Sequence, residues 1–240
     1  MIVLVNGMVR SGSTWSYNVV MELMRRRFGA KAIHGGSSES TAEYLADAPD
    51  AARQLVVKCH RLDPAARTLA RTGAARVVFT VRDPWDAVAS GMRAFDATFG
   101  QALELVTAGL EALAFHRVGG TASIVGYPAI TGDPEVAIRQ MGGYLFGEWP
   151  RDWSARGIAA RTGLETMRKK VEAINRTGKR KLVKAENLYH DPESLLYQNH
   201  IVDGSSGYGR AYLTAGQIKM VAGRVARYKL EKPLERYLLS

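Results

Sequence analysis

Cysteine is nearly absent from this chain of 240 residues, which contains only Cys59. A single thiol excludes an internal disulfide framework and a Cys-rich zinc site, and it fits a reducing compartment. No apolar run approaches the roughly 20 residues of a membrane span, and no Pro/Ser-rich linker divides the sequence. We therefore expect a cytoplasmic protein with no membrane partner, in which residues 1–240 form one domain.

The balance of charge is basic, with a formal net charge of +10 at pH 7. This excess indicates an anionic partner, but charge alone does not choose among nucleic acid, a membrane surface and a small polyanion. The densest basic cluster, residues 25–27, follows apolar residues of a predicted helix. We interpret it as the solvent-exposed last turn of that helix.

Short apolar runs rich in β-branched residues alternate with helical patterns along the chain. The predicted strands are Ile2–Val5, Leu55–Cys59, Val77–Val81 and Leu182–Lys184. The predicted helices are Thr14–Phe28, Pro64–Arg71, Pro84–Phe95, Gln101–Arg117, Pro134–Phe146, Leu164–Asn175, Pro192–Gln198 and Thr214–Tyr228. The alternation predicts an α/β fold with a central parallel sheet flanked by helices, in which ligands bind at the carboxyl ends of the strands.

The first predicted strand leads into a glycine loop that resembles a P-loop. Gly7, Gly12 and Thr14 reproduce the frame of the Walker pattern, but Ser13 stands at its lysine position. The only cation in the loop is Arg10. Backbone N–H groups at the start of the following helix can cradle a phosphate. The loop therefore suits a shorter anion than a triphosphate with bound magnesium.

A second candidate anion site follows the third predicted strand. That strand ends at Arg82, and Asp83 is the predicted N-cap of the next helix. Ser90 lies two turns into this helix, on the same face as Asp86. An arginine and a serine hydroxyl are suitable ligands for a second phosphate. The alternative is that Arg82 pairs with a nearby carboxylate and Ser90 is a small packing residue.

The second predicted strand ends in a lysine and a histidine. Strand alternation places Lys58 and His60 on one side and Cys59 on the other, in the core. His60 can accept a proton, because the ordinary pKa of histidine lies near neutral pH. The Lys58 charge can neutralise a transferring group, and it is expected to lower the pKa of His60.

Together these segments resemble the sulfotransferases that use 3′-phosphoadenosine 5′-phosphosulfate (PAPS) as donor. Residues 10–15, Arg-Ser-Gly-Ser-Thr-Trp, resemble the 5′-phosphosulfate loop. Lys58-Cys59-His60 resembles the Lys-x-His of the catalytic strand, and Arg82 with Ser90 resembles the pair that binds the 3′-phosphate. Weaker similarity extends to residues 186–192, which resemble the strand-to-helix segment near the adenine. Residues 204–210 similarly resemble the glycine-rich C-terminal cofactor loop.

The resemblance implies the P-loop-like sulfotransferase fold and a donor site that needs no metal. It implies that PAPS, or its desulfated product PAP, is held by Arg10, Ser11, Gly12, Ser13, Thr14, Trp15, Arg82, Ser90, Gly209 and Arg210. In this assignment the indole of Trp15 stacks on the adenine. A phosphosulfate and a separate 3′-phosphate explain why the Walker lysine is missing.

The same resemblance implies the catalytic roles. Arg10 stabilises charge on the leaving phosphate oxygen, with backbone N–H groups of residues 11–14. Lys58 holds the sulfate oxygens, and His60 deprotonates a hydroxyl or amine of the acceptor during in-line transfer. The implied acceptor is a small molecule or a carbohydrate, and nucleic acid is not a partner.

Two positions depart from the family pattern. Ala185 stands where many members carry a tyrosine that contacts the adenine. The segment from Asp203 to Arg210 lacks the early Arg-Lys pair of animal cytosolic members, so only Arg210, with serine hydroxyls and backbone N–H groups, is left to serve the 3′-phosphate.

Three segments are candidates for the acceptor pocket: residues 147–153, Tyr127-Pro128 and residues 34–36. Each has an ordinary alternative as a surface loop or turn. Two other functions also remain open. A P-loop small-molecule kinase shares the strand, glycine loop and helix, and it would bind ATP with magnesium. A basic nucleic-acid-binding module would bind random duplex DNA with a steep dependence on salt, and it would not bind PAP.

Overall fold

A computed structural model describes residues 1–49, 52–177, 182–185, 188–197 and 205–238. We number its strands and helices in chain order. The described strands are β1 (Ile2–Gly7), β2 (Ile33–Ser37), β3 (Gln54–Cys59), β4 (Ala75–Val81), β5 (Ala122–Gly126), β6 (Val183–Ala185) and β7 (Leu188–His190). The described α-helices are α1 (Ser13–Phe28), α2 (Thr41–Ala46), α3 (Pro64–Arg71), α4 (Pro84–Phe95), α5 (Phe99–Gly119), α6 (Tyr127–Gly132), α7 (Pro134–Phe146), α8 (Ala155–Thr162), α9 (Leu164–Thr177), α10 (Gly209–Tyr212), α11 (Ala215–Arg227) and α12 (Glu231–Leu238).

The central sheet is parallel, as the sequence predicts. Its order is β2-β3-β1-β4-β5, and each neighbouring pair is parallel. Helices cover both faces, because the strands bury apolar side chains on both sides. In β1, Leu4 packs in the cluster with α3, α4 and α5, whereas Val3 and Val5 pack in the cluster with α1, α7 and α8. The α/β fold class is therefore confirmed.

Three helices have the predicted bounds because an aspartate followed by proline marks each start. The side chains of Asp63, Asp83 and Asp133 accept hydrogen bonds from backbone N–H groups in the first turns of α3, α4 and α7. The proline at the first helical position has no N–H that needs an acceptor. These three starts were readable because the cap is a local interaction.

The prediction missed two strands of the sheet and misplaced a third. The missed strands, β2 and β5, form the two edges. Gly35 and Gly36 interrupt the apolar pattern of β2, and β5 begins with small residues. The predicted strand Leu182–Lys184 is β6, which pairs antiparallel with β7 outside the central sheet. Strands so close in sequence can pair locally, whereas a parallel pairing needs a long crossover.

The predicted helix Pro192–Gln198 is wrong over its described part, residues 192–197, which form turns and a β-bridge. The Asp191 carboxylate accepts hydrogen bonds from the N–H and hydroxyl of Ser194, at 2.7 Å each. Leu195 has a φ of 56°, which no α-helix accommodates. An aspartate that binds the backbone of its own turn competes with helix formation. Gln198 lies outside the described residues.

No helix in the described ranges is both long and apolar enough to cross a membrane.

A buried polar network joins β1, β3 and α5. The Asn6 side-chain amide donates to the carbonyl of Cys59 at 3.2 Å, and Asn6 Oδ1 lies 3.3 Å from His116 Nε2. His116 Nδ1 lies 2.9 Å from the hydroxyl of Thr121. Burial lowers the pKa of His116 to about 4, so its imidazole is neutral at pH 7.

This network makes stability depend on pH. The unfolded chain protonates His116 near pH 6.5 and the folded protein only near pH 4. Between these values the unfolded state binds more protons, so the free energy of unfolding falls as the pH drops. In His116→Gln, which has no titrating group, urea unfolding at neutral pH and at about pH 5 is expected to show a smaller fall than in the wild type. Equal falls in both proteins would contradict this account.

Candidate active site

The parallel register brings the predicted site segments to one edge of the sheet. Gly7 at the end of β1 pairs in register with Thr80 of β4, and Asn6 pairs with Cys59 of β3. The glycine loop, His60 and Arg82 each follow one of these strand ends. The structure therefore brings together the three motifs that lie far apart in sequence.

The glycine loop has two left-handed residues. Arg10 has a φ of 67° and Gly12, which precedes α1, a φ of 88°. A non-glycine residue with positive φ stores strain, and such residues cluster at functional sites. Gly7 is required for a different reason, because a Cβ there would collide with the Thr80 side chain of the neighbouring strand.

The loop directs part of its backbone toward an anion. The Ser11 N–H donates to the carbonyl of Met8 at 3.2 Å, and the Ser11 hydroxyl bonds to Met8 and Thr80. Ser11 is therefore used within the fold. Helix α1 begins at Ser13 after the N-cap Gly12, which supplies no side-chain cap for the N–H groups of the first turn. A helix start leaves such donors for a cap or a ligand.

The Arg10 side chain contacts α4 and Tyr197. Its Nε donates to the hydroxyl of Ser90 at 3.0 Å, and its Nη1 donates to the hydroxyl of Tyr197 at 3.1 Å. The guanidinium lies 5.5 Å from the centre of the Phe95 ring. Arg10 thus joins the loop to α4 and to the strand-bridge segment at Tyr197.

Arg82 is a buried cation, with 4% of its surface exposed. Its Nη1 donates to the carbonyl of Arg10 at 3.2 Å, and its Nη2 donates to the carbonyl of Ser205. The nearest Asp86 oxygen is 4.0 Å away, and the Tyr127 ring centre is 4.3 Å from the guanidinium carbon. In the described part of the chain, the Arg82 Nε has no hydrogen-bond partner. An unpaired buried donor on a cation is costly, and an anion would satisfy it.

The C-terminal segment reaches the same edge. Gly209 is buried against the start of α4, and its N–H donates to Asp86 Oδ1 at 2.7 Å. Arg210 is exposed and lies over the Trp85 ring, 3.6 Å from the ring centre. Arg210 therefore approaches the site from the outer side of α4, while Gly209 lies beside Arg82 and its partners. Gly204 lies outside the described residues.

Lys58 and His60 lie on one side of β3, as strand alternation predicts. Lys58 Nζ is 2.9 Å from His60 Nε2, and His60 Nδ1 is 2.9 Å from the carbonyl of Gly7. A carbonyl only accepts, so Nδ1 carries the proton and Nε2 presents its lone pair to Lys58. Cys59 is buried, and burial raises the pKa of its thiol to about 12.

Burial and charge keep His60 neutral. Burial, followed by the Lys58 charge, lowers the pKa of His60 to about 3. Burial also lowers the pKa of Lys58, and the Glu39 charge acts in the opposite direction. The imidazole is therefore an unprotonated acceptor at physiological pH, but a weak base while Lys58 occupies its lone pair.

The structure also locates the other predicted residues. Trp15 packs on the core cluster of α1. The ring of Tyr127, predicted at the acceptor pocket, lies over the Arg82 guanidinium. In the segment 147–153, the indole N–H of Trp149 donates to the carbonyl of Trp153, and both rings pack on the core. Residues 34–36 belong to the edge strand β2. Ala185 ends β6, and Glu186 and Asn187 lie outside the described residues.

Sequence reasoning missed two residues that contact the site. Glu39 accepts hydrogen bonds from the N–H groups of His60 and Arg61, at 2.8–3.1 Å, and so fixes the end of β3. Tyr197 holds Arg10, and burial raises the pKa of its hydroxyl. Neither belongs to a motif, and each depends on a turn that local patterns did not reveal.

Within the described ranges, no group of three or more His, Cys, Asp or Glu side chains is arranged to hold a metal ion. The ligand chemistry of this edge is instead that of two arginines, a lysine, a histidine and backbone N–H groups.

No protein-family model matches the chain, and no curated protein matches its sequence. Solved structures do match its fold. The crystal structure of mouse sulfotransferase SULT7A1 complexed with PAP is 17% identical, with a TM-score of 0.66, and the match covers 100% of this chain and 88% of that one. Retinol dehydratase with androsterone and the inactive cofactor PAP is 15% identical, with a TM-score of 0.63, over 96% of this chain and 80% of that one. Retinol dehydratase with retinol and PAP is 16% identical, with a TM-score of 0.64, over 96% and 81%. The chain therefore has the sulfotransferase fold that its sequence motifs predict.

Proposed function

We propose that this protein is a PAPS-dependent sulfotransferase in which residues 1–240 form one catalytic domain. The observation that carries the proposal is the cluster of Arg10, Lys58, His60, Arg82 and Ser90 at the carboxyl edge of the sheet. The sulfotransferase fold supports it, because its solved relatives in structure were crystallised with PAP.

The donor set fits two separate anions. The N–H groups at the start of α1, which no side chain of the N-cap Gly12 caps, and the Arg10 guanidinium suit a phosphosulfate. The buried Arg82, with its unsatisfied Nε, and the Ser90 hydroxyl suit a 3′-phosphate. PAPS supplies the sulfuryl group that passes to the acceptor. In our assignment Trp15 contacts the adenine, and Gly209, whose N–H is held by Asp86, completes the cofactor site together with Arg210.

The chain supplies the base for the acceptor. His60 Nε2 carries the lone pair, and the Gly7 carbonyl fixes this tautomer through Nδ1. The atom that must receive the acceptor proton is in contact with Lys58 Nζ. Lys58 must therefore turn toward the anionic donor before His60 can act. That movement frees Nε2 and removes a charge that depresses the pKa of His60, so it makes the imidazole a stronger base.

The acceptor is proposed as a small molecule or carbohydrate with a hydroxyl or an amine. Androsterone and retinol, bound in two of the similar structures, are small molecules. We place the reaction in the cytoplasm, without a metal ion.

Calorimetric titration of the purified protein with PAP in EDTA tests the cofactor. We expect saturable binding with a dissociation constant on the order of micromolar, about −8 kcal/mol. Because the two anion sites use only protein donors, chelation is expected to leave the binding unchanged.

ATP with magnesium is the control for that titration, with random duplex DNA as a second control. Binding of ATP with magnesium and none of PAP would assign the protein to the kinases. Salt-sensitive binding of DNA alone would favour the nucleic-acid-binding module.

His60→Ala is expected to abolish turnover of PAPS with a competent acceptor while PAP affinity stays nearly unchanged. A base acts in the chemical step and not in donor binding. Steady-state kinetics and PAP titration measure the two effects, and thermal unfolding checks that the variant is folded. Residual turnover together with lost PAP affinity would overturn the role of His60.

Arg82→Ala is expected to weaken PAP binding by about 1–3 kcal/mol, the scale of a hydrogen bond to a charged group that is left unmade. Arg76→Ala is the matched control, because Arg76 lies in β4, the strand that Arg82 follows, and is exposed over the Tyr144 ring. An unchanged PAP dissociation constant in the Arg82 variant would remove this residue from the site.

A further inference from the structure

The segment of residues 205–209, which we name the C-terminal strap, lies along the first turn of α4. Arg82 donates to its first carbonyl, that of Ser205. The Tyr208 ring lies 5.4 Å from the guanidinium carbon of Arg93, which belongs to the last turn of α4. The strap therefore runs past the helix that carries Ser90, and it ends where α10 begins.

Asp86 makes the most direct contacts between α4 and the strap. Its Oδ1 accepts the N–H of Gly209 and its Oδ2 accepts the N–H of Gly207, both at 2.7 Å. The residue is 1% exposed. Its two oxygens are thus used on backbone donors of the strap, while Arg82 stands 4.0 Å away. Short hydrogen bonds to a buried carboxylate are stronger than those between neutral groups.

Gly209 fits this contact because it has no side chain. A Cβ at this position would collide with the backbone of Trp85 and Asp86. Gly207 has a φ of 85°, which a side chain rarely tolerates. Backbone and carboxylate therefore approach each other closely at two glycines, and any displacement of the strap breaks both hydrogen bonds.

Asp86 is badly suited to bind phosphate itself. A carboxylate near a phosphate is repelled, and burial strengthens the repulsion. A buried acid beside two candidate phosphate ligands, Arg82 and Ser90, thus calls for another explanation. Both Asp86 oxygens bind the strap. Asp86 therefore holds the strap in place and fixes the direction of the neighbouring Arg82 guanidinium.

We propose that Asp86 is a positioning residue that gives the donor site its preference for a 3′-phosphate, by holding the strap against α4 beside Arg82. This inference rests on the proposed function. Two consequences distinguish it from a general role in folding. The loss should fall on nucleotides that carry a 3′-phosphate, and the strap amides should exchange faster with solvent.

The experiment compares Asp86→Asn with the wild type for binding of PAP and of 5′-AMP, which lacks only the 3′-phosphate. An asparagine keeps one acceptor and replaces the other with a donor, so one strap N–H loses its partner. We expect PAP binding to weaken about 10-fold to 100-fold, and 5′-AMP binding to change by less than about twofold. Hydrogen exchange of the peptide containing residues 205–209 should be faster in the variant.

Asp83→Asn is the matched control. It removes the same charge three residues earlier, and asparagine caps a helix as well as aspartate does. Asp83 accepts a hydrogen bond from the N–H of Asp86, and among the described residues it has none to the strap. We expect it to keep the wild-type ratio of PAP to 5′-AMP affinity. An equal fall in the ratio of PAP affinity to 5′-AMP affinity in both variants would overturn the specific role of Asp86.

Gly209→Ala decides the question if Asp86→Asn does not fold. It displaces the strap without touching the carboxylate, and Gly223→Ala in α11, where a Cβ meets open space, is its control. We expect Gly209→Ala alone to lose the 3′-phosphate preference. Retention of that preference in folded Asp86→Asn, or in Gly209→Ala, overturns the inference while the proposed function stands. A wild type that does not bind PAP at all overturns the proposed function, and this inference with it.

Discussion

The buried guanidinium of Arg82 is the interaction on which the rest of the site depends. A cation with 4% exposure must find hydrogen-bond acceptors inside the protein. It finds them in the carbonyls of Arg10 and Ser205, which belong to the first loop and to the C-terminal strap. Its nearest carboxylate, on Asp86, lies 4.0 Å away and is already bound to the strap. The Arg82 guanidinium therefore joins the glycine loop to the strap, and the Asp86 carboxylate neutralises its charge only in part.

That excess of positive charge has a second effect, at His60. Burial lowers the pKa of His60 most, and the charges of Lys58, in direct contact with Nε2, and of Arg10 lower it further. Under the proposed function, these charges weaken the base while no anion is bound. A bound anion would compete for Lys58 and strengthen the base in the same step. Donor binding would then raise the basicity of His60 through the Lys58 side chain.

The sequence predicted those parts of the structure that depend on local interactions. The Asp-Pro starts of α3, α4 and α7 and the strand alternation of Lys58 and His60 follow from neighbouring residues, and the structure reproduces them. The edge strand β2, with its two glycines, depends on its pairing with β3 and was missed. The turn held by Asp191 was mistaken for a helix, because its side-chain hydrogen bond to Ser194 has no helical pattern. The same holds for the site. The motifs predicted Arg10, Arg82 and Ser90, which the structure brings together, whereas Tyr197 lies 187 positions from its partner Arg10 and has no local signal.

The contacts around Arg82 imply that binding at the glycine loop and binding at the strap affect one another. The glycine loop, α4 and the strap are joined by buried hydrogen bonds, so an anion that binds one of them changes the cost of ordering the others. Linkage makes this effect reciprocal. If a bound anion stabilises the strap on α4 by some free energy, then a strap fixed on α4 strengthens anion binding by the same free energy. The loop has Ser13 at the Walker lysine position, so under the proposed function part of the cofactor affinity would come from the strap and Arg82 at the second anion site.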